Sequence, residues 1–271
     1  MKAIETRELR YEAGPFRLND ADAAMLEGRV TAIVGPNGSG KSTLLRLIAG
    51  LLKPSGGTVV IRGQTAAAYS RMQLARELAM LPQSGESLPE LTVRELAAFG
   101  RTPRLSRFRQ RMTEDDEREI DWALGQMGMR RHEDRMVGTL SGGERQKALI
   151  AMALAQRTGI LLLDEPTTYL DIAHQLELMR LLAKLNREMG LTVVMVLHDL
   201  QQAAAFSHEV IALKRGSIAA RGAPREVITP AMLREVFEIE ADVRFDEAYP
   251  LIIPLPEPDS RLQYAVHASF I

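Results

Sequence analysis

Hydrophobic residues follow two different periodicities in the first eighty positions. Residues 30–34 alternate between apolar and small side chains, as a strand does, and residues 42–52 carry leucine and isoleucine at the spacing of a helix. A Pro-Ser-Gly-Gly segment at 54–57 ends this helix, and β-branched residues then predict strands at 58–62 and 78–81. A strand, a loop and a helix thus open an alternating α/β pattern.

The pattern changes from about residue 84 to residue 155. β-Branched residues become rare there, and apolar side chains recur at helical spacing. Thr113 and Asp116 form a capping-box pattern that predicts the start of one of these helices. The segment 84–155 is therefore expected to be a helical subdomain inserted into the α/β domain.

The strand pattern returns after the helical segment. Residues 159–163 and 192–197 are nearly all apolar, as strands covered by helices on both faces should be. A helical pattern at 172–189 separates them, and short β-rich segments follow at 210–213 and 217–220. The alternation predicts a sheet with a parallel core.

The end of the chain carries capping and breaking signals. Thr229 and Pro230 are typical of a helix start and predict a helix up to residue 237. Four prolines within 250–258 exclude a helix interior or a central strand there, and we expect a surface tail. These signals predict an α/β domain at 1–240 and a short C-terminal extension at 241–271.

Composition and charge narrow the function classes. The 271 residues are 46% hydrophobic, enough to fill a large core, and the formal net charge of −1 gives no electrostatic case for wrapping nucleic acid. The absence of cysteine excludes disulfides and thiolate metal sites and is compatible with a reducing cytoplasm. The first residues are too densely charged for a signal peptide, and no apolar run approaches the ~20 residues of a membrane span.

A glycine-rich loop lies between the strand at 30–34 and the helix that follows it. Its glycines let backbone N–H groups turn inward around a triphosphate, and the helix N-terminus adds partial positive charge. We expect Lys41 to reach the β- and γ-phosphates and Ser42 to place its hydroxyl on Mg²⁺. A glycine-rich turn with a chance lysine is disfavoured by this position between a strand and a helix. The expected ATP-binding residues are Gly35, Pro36, Asn37, Gly38, Ser39, Gly40, Lys41, Ser42 and Thr43.

Two adjacent carboxylates, Asp164 and Glu165, follow the apolar strand at 159–163. The carboxyl ends of strands are the usual ligand position in open α/β sheets. Asp164 suits Mg²⁺ through water, and Glu165 is placed to polarise the attacking water in phosphoryl transfer. A strand that merely ends in solvated acids would look the same by itself, but together with the glycine loop the pair indicates ATP hydrolysis.

Gln83 and His198 also follow predicted strands. His198 comes after the strand at 192–197, so we expect its imidazole near Glu165 and within reach of a γ-phosphate. Gln83 can bind Mg²⁺ or the attacking water, and it begins the helical insertion, so loss of the γ-phosphate could rotate that insertion. We expect both residues to act in catalysis beside Glu165.

A second helix N-terminus suited to an anion occurs about a hundred residues after the first. Residues 140–144 read Leu-Ser-Gly-Gly-Glu and precede an apolar helix. If the two helix ends lie on opposite flanks, two copies with C2 symmetry would bury ATP between the glycine loop of one copy and Ser141, Gly142 and Gly143 of the other.

Together these motifs resemble the nucleotide-binding subunit of an ABC transporter, over about residues 9–237. The matching segments are residues 140–144 (signature motif), Gln83 (Q-loop), residues 169–171 (D-loop) and His198 (switch histidine). Tyr11 matches the aromatic residue that stacks on adenine, and Phe16 is the alternative. The resemblance assigns further ATP contacts to Tyr11, Ser141, Gly142, Gly143, Glu144 and Asp171.

The resemblance implies an α/β fold of the P-loop NTPase type, an ABC ATPase domain. Its β core would be mixed or parallel, with an N-terminal antiparallel β subdomain and an inserted helical subdomain. It also implies ATP and Mg²⁺ as cofactors and a homodimer that sandwiches ATP.

Four segments resemble the branch of this family that energises uptake of ferric siderophores, haem and cobalamin. They are residues 164–168, 170–175, 197–200 and 229–237. Tyr169 departs from that branch, in which histidine is commoner at this position. The resemblance implies a peripheral protein on the cytoplasmic side of the membrane, with permease subunits as partners and a substrate-binding protein as an indirect partner.

Other functions stay open on the sequence. They are an ABC ATPase for another substrate, a non-transport ABC ATPase in DNA maintenance or translation, and a nucleotide-binding regulator. The non-transport ATPase is disfavoured for two reasons. No long coiled coil separates the motifs, as it does in DNA-maintenance proteins, and the sequence shows one cassette, whereas translation-associated forms usually have two. We expect His132 on a solvated surface, and His208 and His267 lack ligand-spaced neighbours. The arginine-rich segment 101–111 is interpreted as a loop face that contacts a partner.

Overall fold

The computed structural model describes residues 1–83, 90–105, 112–168, 170–247 and 249–255. The strands are β1 (Lys2–Ala13), β2 (Phe16–Leu26), β3 (Val30–Val34), β4 (Gly56–Ile61), β5 (Gln64–Thr65), β6 (Leu78–Leu81), β7 (Ile160–Asp164), β8 (Thr192–Val196), β9 (Glu209–Lys214), β10 (Ser217–Gly222), β11 (Ala241–Asp246) and β12 (Tyr249–Pro254). The helices are α1 (Lys41–Ile48), α2 (Arg71–Glu77), α3 (Val93–Phe99), α4 (Glu114–Gln126), α5 (Gly142–Ala155), α6 (Ile172–Met189), α7 (Leu200–Phe206), α8 (Pro224–Val227) and α9 (Pro230–Met232).

The central sheet has six strands in the order β10-β9-β3-β8-β7-β6. Five of them are parallel, and β10 pairs antiparallel with β9 at one edge. The carboxyl ends of β3, β7, β8 and β6 consequently lie along one edge of the sheet. The glycine loop, the two carboxylates, His198 and Gln83 follow these four strands, so the topology brings them together.

The central strands are mostly apolar because each of them packs against two hydrophobic cores. Ala32 and Val34 of β3 pack into the core beneath the helical side of the sheet, whereas Ile33 between them packs into the core shared with the other sheet. In β8, Val193 and Met195 face the first core, and Val194 faces the second. Successive side chains of these strands therefore still point to opposite faces of the sheet, but both faces are apolar.

A second sheet, of strands β2-β1-β4-β5, is antiparallel throughout and lies at the N-terminal side of the fold. Its long hairpin of β1 and β2 has three register shifts, so the irregular pattern at Phe16–Leu26 still forms a strand. This mixed, largely parallel core with an N-terminal antiparallel sheet confirms the predicted fold class.

Between β6 and β7 the described chain forms helices α3, α4 and α5, which pack on one another. The predicted capping box opens α4: the Thr113 hydroxyl accepts from Asp116 N–H, and the Asp116 carboxylate accepts from Thr113 N–H at 3.0 Å.

The interpretation of residues 101–111 as a loop face is wrong for Arg101. Its guanidinium is buried and donates to Asp116 Oδ1 at 2.8 Å and to the Ala155 carbonyl at 2.7 Å. Residues 106–111 lie outside the described residues.

The C-terminal region differs from the predicted surface tail. Residues 241–246 and 249–254 form an antiparallel hairpin, and β12 lies against α7. Prolines are tolerated because every strand of a two-stranded sheet is an edge strand. Ile252 and Val243 pack against the main core, which supplies the burial that a free tail would lack. Residues 256–271 lie outside the described residues, and none of the described helices is long and apolar enough to span a bilayer.

Candidate active site at the carboxyl edge of the central sheet

The glycine loop connects β3 to α1 in a conformation that side chains would disrupt. Gly35 has φ +149° and Gly40 has φ +104°, both in the region that favours glycine. A Cβ on Gly35 would lie 2.2 Å from the Leu213 carbonyl oxygen, and one on Gly40 would lie 2.9 Å from the Phe16 ring. The loop therefore needs glycine at these positions to pass between β9 and the N-terminal hairpin.

Lys41 is buried inside this loop. Its ammonium group donates to the Gly35 carbonyl at 2.9 Å and to the Pro36 carbonyl at 3.0 Å. Burial lowers the pKa of Lys41, and the charges of Glu165 and Asp164 oppose that shift. Ser39 Oγ is buried without a hydrogen-bond partner among the described residues. These donors fit the oxygens of a polyphosphate, because phosphate would satisfy Ser39 and compensate the Lys41 charge.

Asp164 and Ser42 form the candidate Mg²⁺ site. The Ser42 hydroxyl donates to Asp164 Oδ1 at 2.8 Å, whereas Asp164 Oδ2 is buried and has no hydrogen-bond partner in the described chain. Burial raises the pKa of Asp164 despite the nearby charges of Arg46 and Lys41, so a bound cation would stabilise the ionised carboxylate. One carboxylate and one hydroxyl fit Mg²⁺, which keeps water and phosphate as its other ligands. No group of three or more metal-binding side chains occurs in the described chain.

Glu165 lies at the centre of the predicted catalytic residues. Its Oε1 is 2.6 Å from His198 Nε2, and its Oε2 accepts from Gln83 Nε2 at 2.7 Å. Thr168 Oγ1 donates to the same Oε2 at 3.2 Å. The backbone of Glu165 has φ +53°, a conformation that is uncommon for a residue with a side chain. The structure thus brings together all three residues predicted to be catalytic, although Gln83 contacts the carboxylate itself.

The cleft over the glycine loop has a volume of about 230 Å³. It is lined by Phe16, Asn37, Gly38, Gly40, Lys41, Ser42, Thr43 and Glu165. Phe16 is therefore the aromatic residue at the loop. Tyr11 pairs with Leu18 across the N-terminal hairpin and packs on the core of that subdomain, so its expected adenine contact stays a prediction. None of residues 141–144 lines the cleft in the described chain.

The predicted signature residues form the N-terminus of α5. The Ser141 hydroxyl caps the helix by accepting from Glu144 N–H at 3.2 Å, and Glu144 Oε2 accepts from Ser141 N–H at 3.0 Å. This backbone contact is the main reason why the pKa of Glu144 lies below its usual value. Gly143 lies close to His174 and Leu170, since an added Cβ would be 3.6 Å from each side chain.

Asp171 caps the neighbouring helix α6. Its Oδ1 accepts from the His174 backbone N–H at 2.9 Å and lies 2.8 Å from His174 Nδ1. These hydrogen bonds lower the pKa of Asp171, the backbone bond having the larger effect. The D-loop and signature residues of one chain are thus neighbours. Tyr169 lies outside the described residues.

The family model described as ABC transporter matches residues 18–168, more than half of the chain. The chain belongs to this family. It is 47% identical over 239 residues to the petrobactin import ATP-binding protein of Bacillus anthracis, over 88% of each chain. It is 44% identical over 247 residues to the iron(3+)-hydroxamate import ATP-binding protein of Bacillus subtilis, over 91% of each chain. A dimeric bacterial ABC transporter cassette superposes with a TM-score of 0.71 at 31% identity, over 82% of this chain and 99% of that one.

As a member of the ABC transporter family, the chain is an ATPase that drives transport. The resemblance based on these short motifs is therefore confirmed, as is the ATPase activity. The individual site residues stay predictions that the geometry described above supports.

Sequence reasoning missed several residues around these motifs. His132 was expected on a solvated surface, but its side chain is only 16% exposed and lies 3.4 Å from the Glu144 carboxylate. Its neighbour Arg135 lies 3.5 Å from the same carboxylate. His208 accepts at Nδ1 from Val30 N–H, and burial lowers its pKa. No sequence spacing could have joined these residues, because their contacts form only when separate segments pack.

Proposed function

We propose that the chain is the ATP-hydrolysing subunit of an importer for a ferric siderophore. The observation that carries this proposal is the 47% identity to a petrobactin import ATP-binding protein, over 88% of both chains. The second relative, an iron(3+)-hydroxamate import protein, supports the same class of substrate. The ferric complex would be cargo of the transporter and not a cofactor of this chain.

Two copies are needed to complete the nucleotide site. The cleft of about 230 Å³ is smaller than the ~300–1,000 Å³ typical of a closed ligand pocket, and residues 141–144 do not line it. A second copy with C2 symmetry would bring its Ser141 and the N-terminus of α5 onto the phosphates held by Lys41. ATP would then join the two copies.

The described residues suggest a division of roles in hydrolysis. Lys41 and the loop N–H groups would hold the phosphates, and Ser42 with Asp164 would hold Mg²⁺, which supplies charge neutralisation to the phosphoryl group. Glu165 would orient the attacking water, while His198 keeps the carboxylate in place and lies near the expected γ-phosphate. Gln83, bonded to Glu165, would report the state of the site to the helical insertion.

We propose that the chain lies on the cytoplasmic face of the membrane, bound to permease subunits that receive cargo from a substrate-binding protein. Both relatives are import proteins by name, and this supports the direction of transport. The permease would convert closure and opening of the ATP-bound pair into alternating access.

An uptake assay tests this function. A strain lacking the gene would be complemented with the wild-type chain, with Lys41→Ala, or with Arg118→Ala, which alters an exposed ion pair remote from the site. Uptake of radiolabelled ferric hydroxamate, ferric catecholate and cobalamin would be measured in each strain. We expect the wild type and Arg118→Ala to restore uptake of a ferric siderophore and Lys41→Ala to fail. Restoration of cobalamin uptake alone would replace the proposed substrate class.

A further inference from the structure

The fifth signature residue, Glu144, carries a negative charge at a helix N-terminus that is expected to receive the phosphates of a partner's ATP. A carboxylate there repels the ligand unless its charge is compensated. One oxygen of Glu144, Oε2, accepts from Ser141 N–H. The other, Oε1, lies 3.4 Å from His132 Nε2 and 3.5 Å from Arg135 Nη1. The carboxylate is thus turned toward its own chain.

His132 and Arg135 also contact each other. Arg135 Nη1 lies 3.2 Å from His132 Nδ1, while His132 Nε2 lies 3.4 Å from Glu144 Oε1. Arg135 Nη2 donates to the Thr139 carbonyl at 3.2 Å, which fixes the guanidinium beside the signature motif. Arg131 Nε donates to His132 Nε2 at 3.1 Å and adds positive charge on this side of the imidazole. We call His132, Arg135 and Glu144 the signature clamp.

The turn that carries the clamp is fixed to the segment that follows the Q-loop. Val93 N–H donates to the Arg135 carbonyl at 3.0 Å, Arg94 N–H donates to the Glu133 carbonyl at 2.9 Å, and Val137 N–H donates to the Leu91 carbonyl at 2.8 Å. The Arg94 guanidinium pairs with three carboxylates in all. Those of Glu117 and Asp121 belong to α4, and that of Glu133 belongs to the turn. The turn therefore moves with the start of α3.

We propose that Arg135 and His132 are positioning residues that offset the charge of Glu144 and fix the signature motif for the ATP of a second copy. This inference rests on the proposed ATP-bound homodimer. Neither residue touches nucleotide held by its own chain, because the clamp lies at α5 and not in the cleft over the glycine loop. Removing the clamp should weaken ATP-dependent dimerisation and leave ATP binding by a single copy unchanged.

A double-mutant cycle separates this role from a general structural one. The variants are Arg135→Ala, His132→Ala, Glu144→Gln, and the combination of Arg135→Ala with Glu144→Gln. Arg118→Ala is the matched control, because it removes an arginine of the same subdomain from an exposed pair with Asp115. Three quantities would be measured: nucleotide binding by the monomer, the ATP concentration at half-maximal hydrolysis, and ATP-dependent dimerisation in the Glu165→Gln background.

We expect Arg135→Ala to raise the half-saturating ATP concentration and to weaken dimerisation by roughly tenfold, the scale of one charge-assisted contact. His132→Ala should act in the same direction with a smaller effect, and monomer binding should stay within about twofold of wild type. In the Glu144→Gln background the loss of Arg135 should cost much less, because no carboxylate charge remains to be offset. Arg135→Lys, which keeps the charge, should recover part of the affinity.

Several results would overturn the clamp. They are wild-type dimerisation in both alanine variants, an equal cost of Arg135→Ala with and without the Glu144→Gln substitution, and a parallel loss of monomer binding. If Arg135→Ala fails to fold, Arg135→Lys and His132→Ala would be compared with and without Glu144→Gln in its place. Failure of the Glu165→Gln protein itself to dimerise with ATP would instead reject the homodimer of the proposed function.

Discussion

The imidazole of His198 lies 2.6 Å from the carboxylate of Glu165, although 33 positions separate the two residues in the sequence. The contact follows from the parallel pairing of β7 with β8, which ends the two strands side by side. Gln83 reaches the same carboxylate from the next strand, β6. The sheet edge thus surrounds the Glu165 carboxylate with an imidazole and an amide.

Glu165→Gln should reduce ATP hydrolysis by at least about a hundredfold, the usual contribution of a general base. The amide keeps the size of the side chain and its contact with His198, so ATP binding should persist and the dimer should accumulate. Phosphate release and gel filtration with ATP would measure the two effects. Lys41→Ala, which lacks the phosphate contact, should neither hydrolyse ATP nor dimerise. Normal hydrolysis by Glu165→Gln would reject the role of Glu165.

Asp164→Asn should stabilise the nucleotide-free protein while abolishing Mg²⁺-dependent hydrolysis. Burial raises the pKa of Asp164 in the folded state above the unfolded value of about 3.9, so ionisation disfavours folding as pH rises through the native pKa. Asparagine should therefore be the more stable variant at pH 7, and its advantage should shrink toward acid pH, where Asp164 is protonated in both states. Urea unfolding at several pH values would measure it. A gain that grows toward acid pH would contradict this explanation.

Phe16→Ala should weaken nucleotide binding by about fivefold, the scale of one aromatic contact, because Phe16 lines the cleft over the glycine loop. Tyr11→Ala is the matched comparison and should change affinity less, since Tyr11 packs on the hairpin core. Calorimetric titration with ATP and with inorganic triphosphate would separate base stacking from phosphate binding. A larger loss for Tyr11→Ala than for Phe16→Ala would instead support Tyr11 as the residue that contacts adenine.

Arg101→Ala should destabilise the protein by about 3 kcal/mol, because it leaves the Asp116 carboxylate buried without its cation. Burial acts to raise the pKa of Asp116, but hydrogen bonds from Thr113 and Arg101 outweigh it and hold the pKa below its usual value. Arg104→Ala, at an exposed arginine of the same segment, is the control and should have a small effect. Thermal unfolding would compare the two, and equal effects would contradict the importance of the buried pair.

Local patterns predicted much of this fold because their signals lie within single segments. The strands at 30–34 and 78–81 and the helix at 172–189 have the bounds that periodicity predicts. The predicted caps at Thr113 and Thr229 reflect hydrogen bonds that span only three residues. The prediction of a tail is wrong for residues 250–254. Prolines exclude a central strand, but they do not exclude an edge strand that pairs with a neighbouring segment.

The chemistry of the site was likewise determined by the sequence, since the glycine loop, Asp164 with Glu165, and His198 each follow a strand and parallel strands end together. Tertiary structure alone decided which aromatic residue lines the cleft, that Arg101 is buried, and that His132 and Arg135 lie beside Glu144. These relationships join segments whose separation has no fixed period. They depend on how the helices and the hairpin pack, and packing is a property of the whole chain.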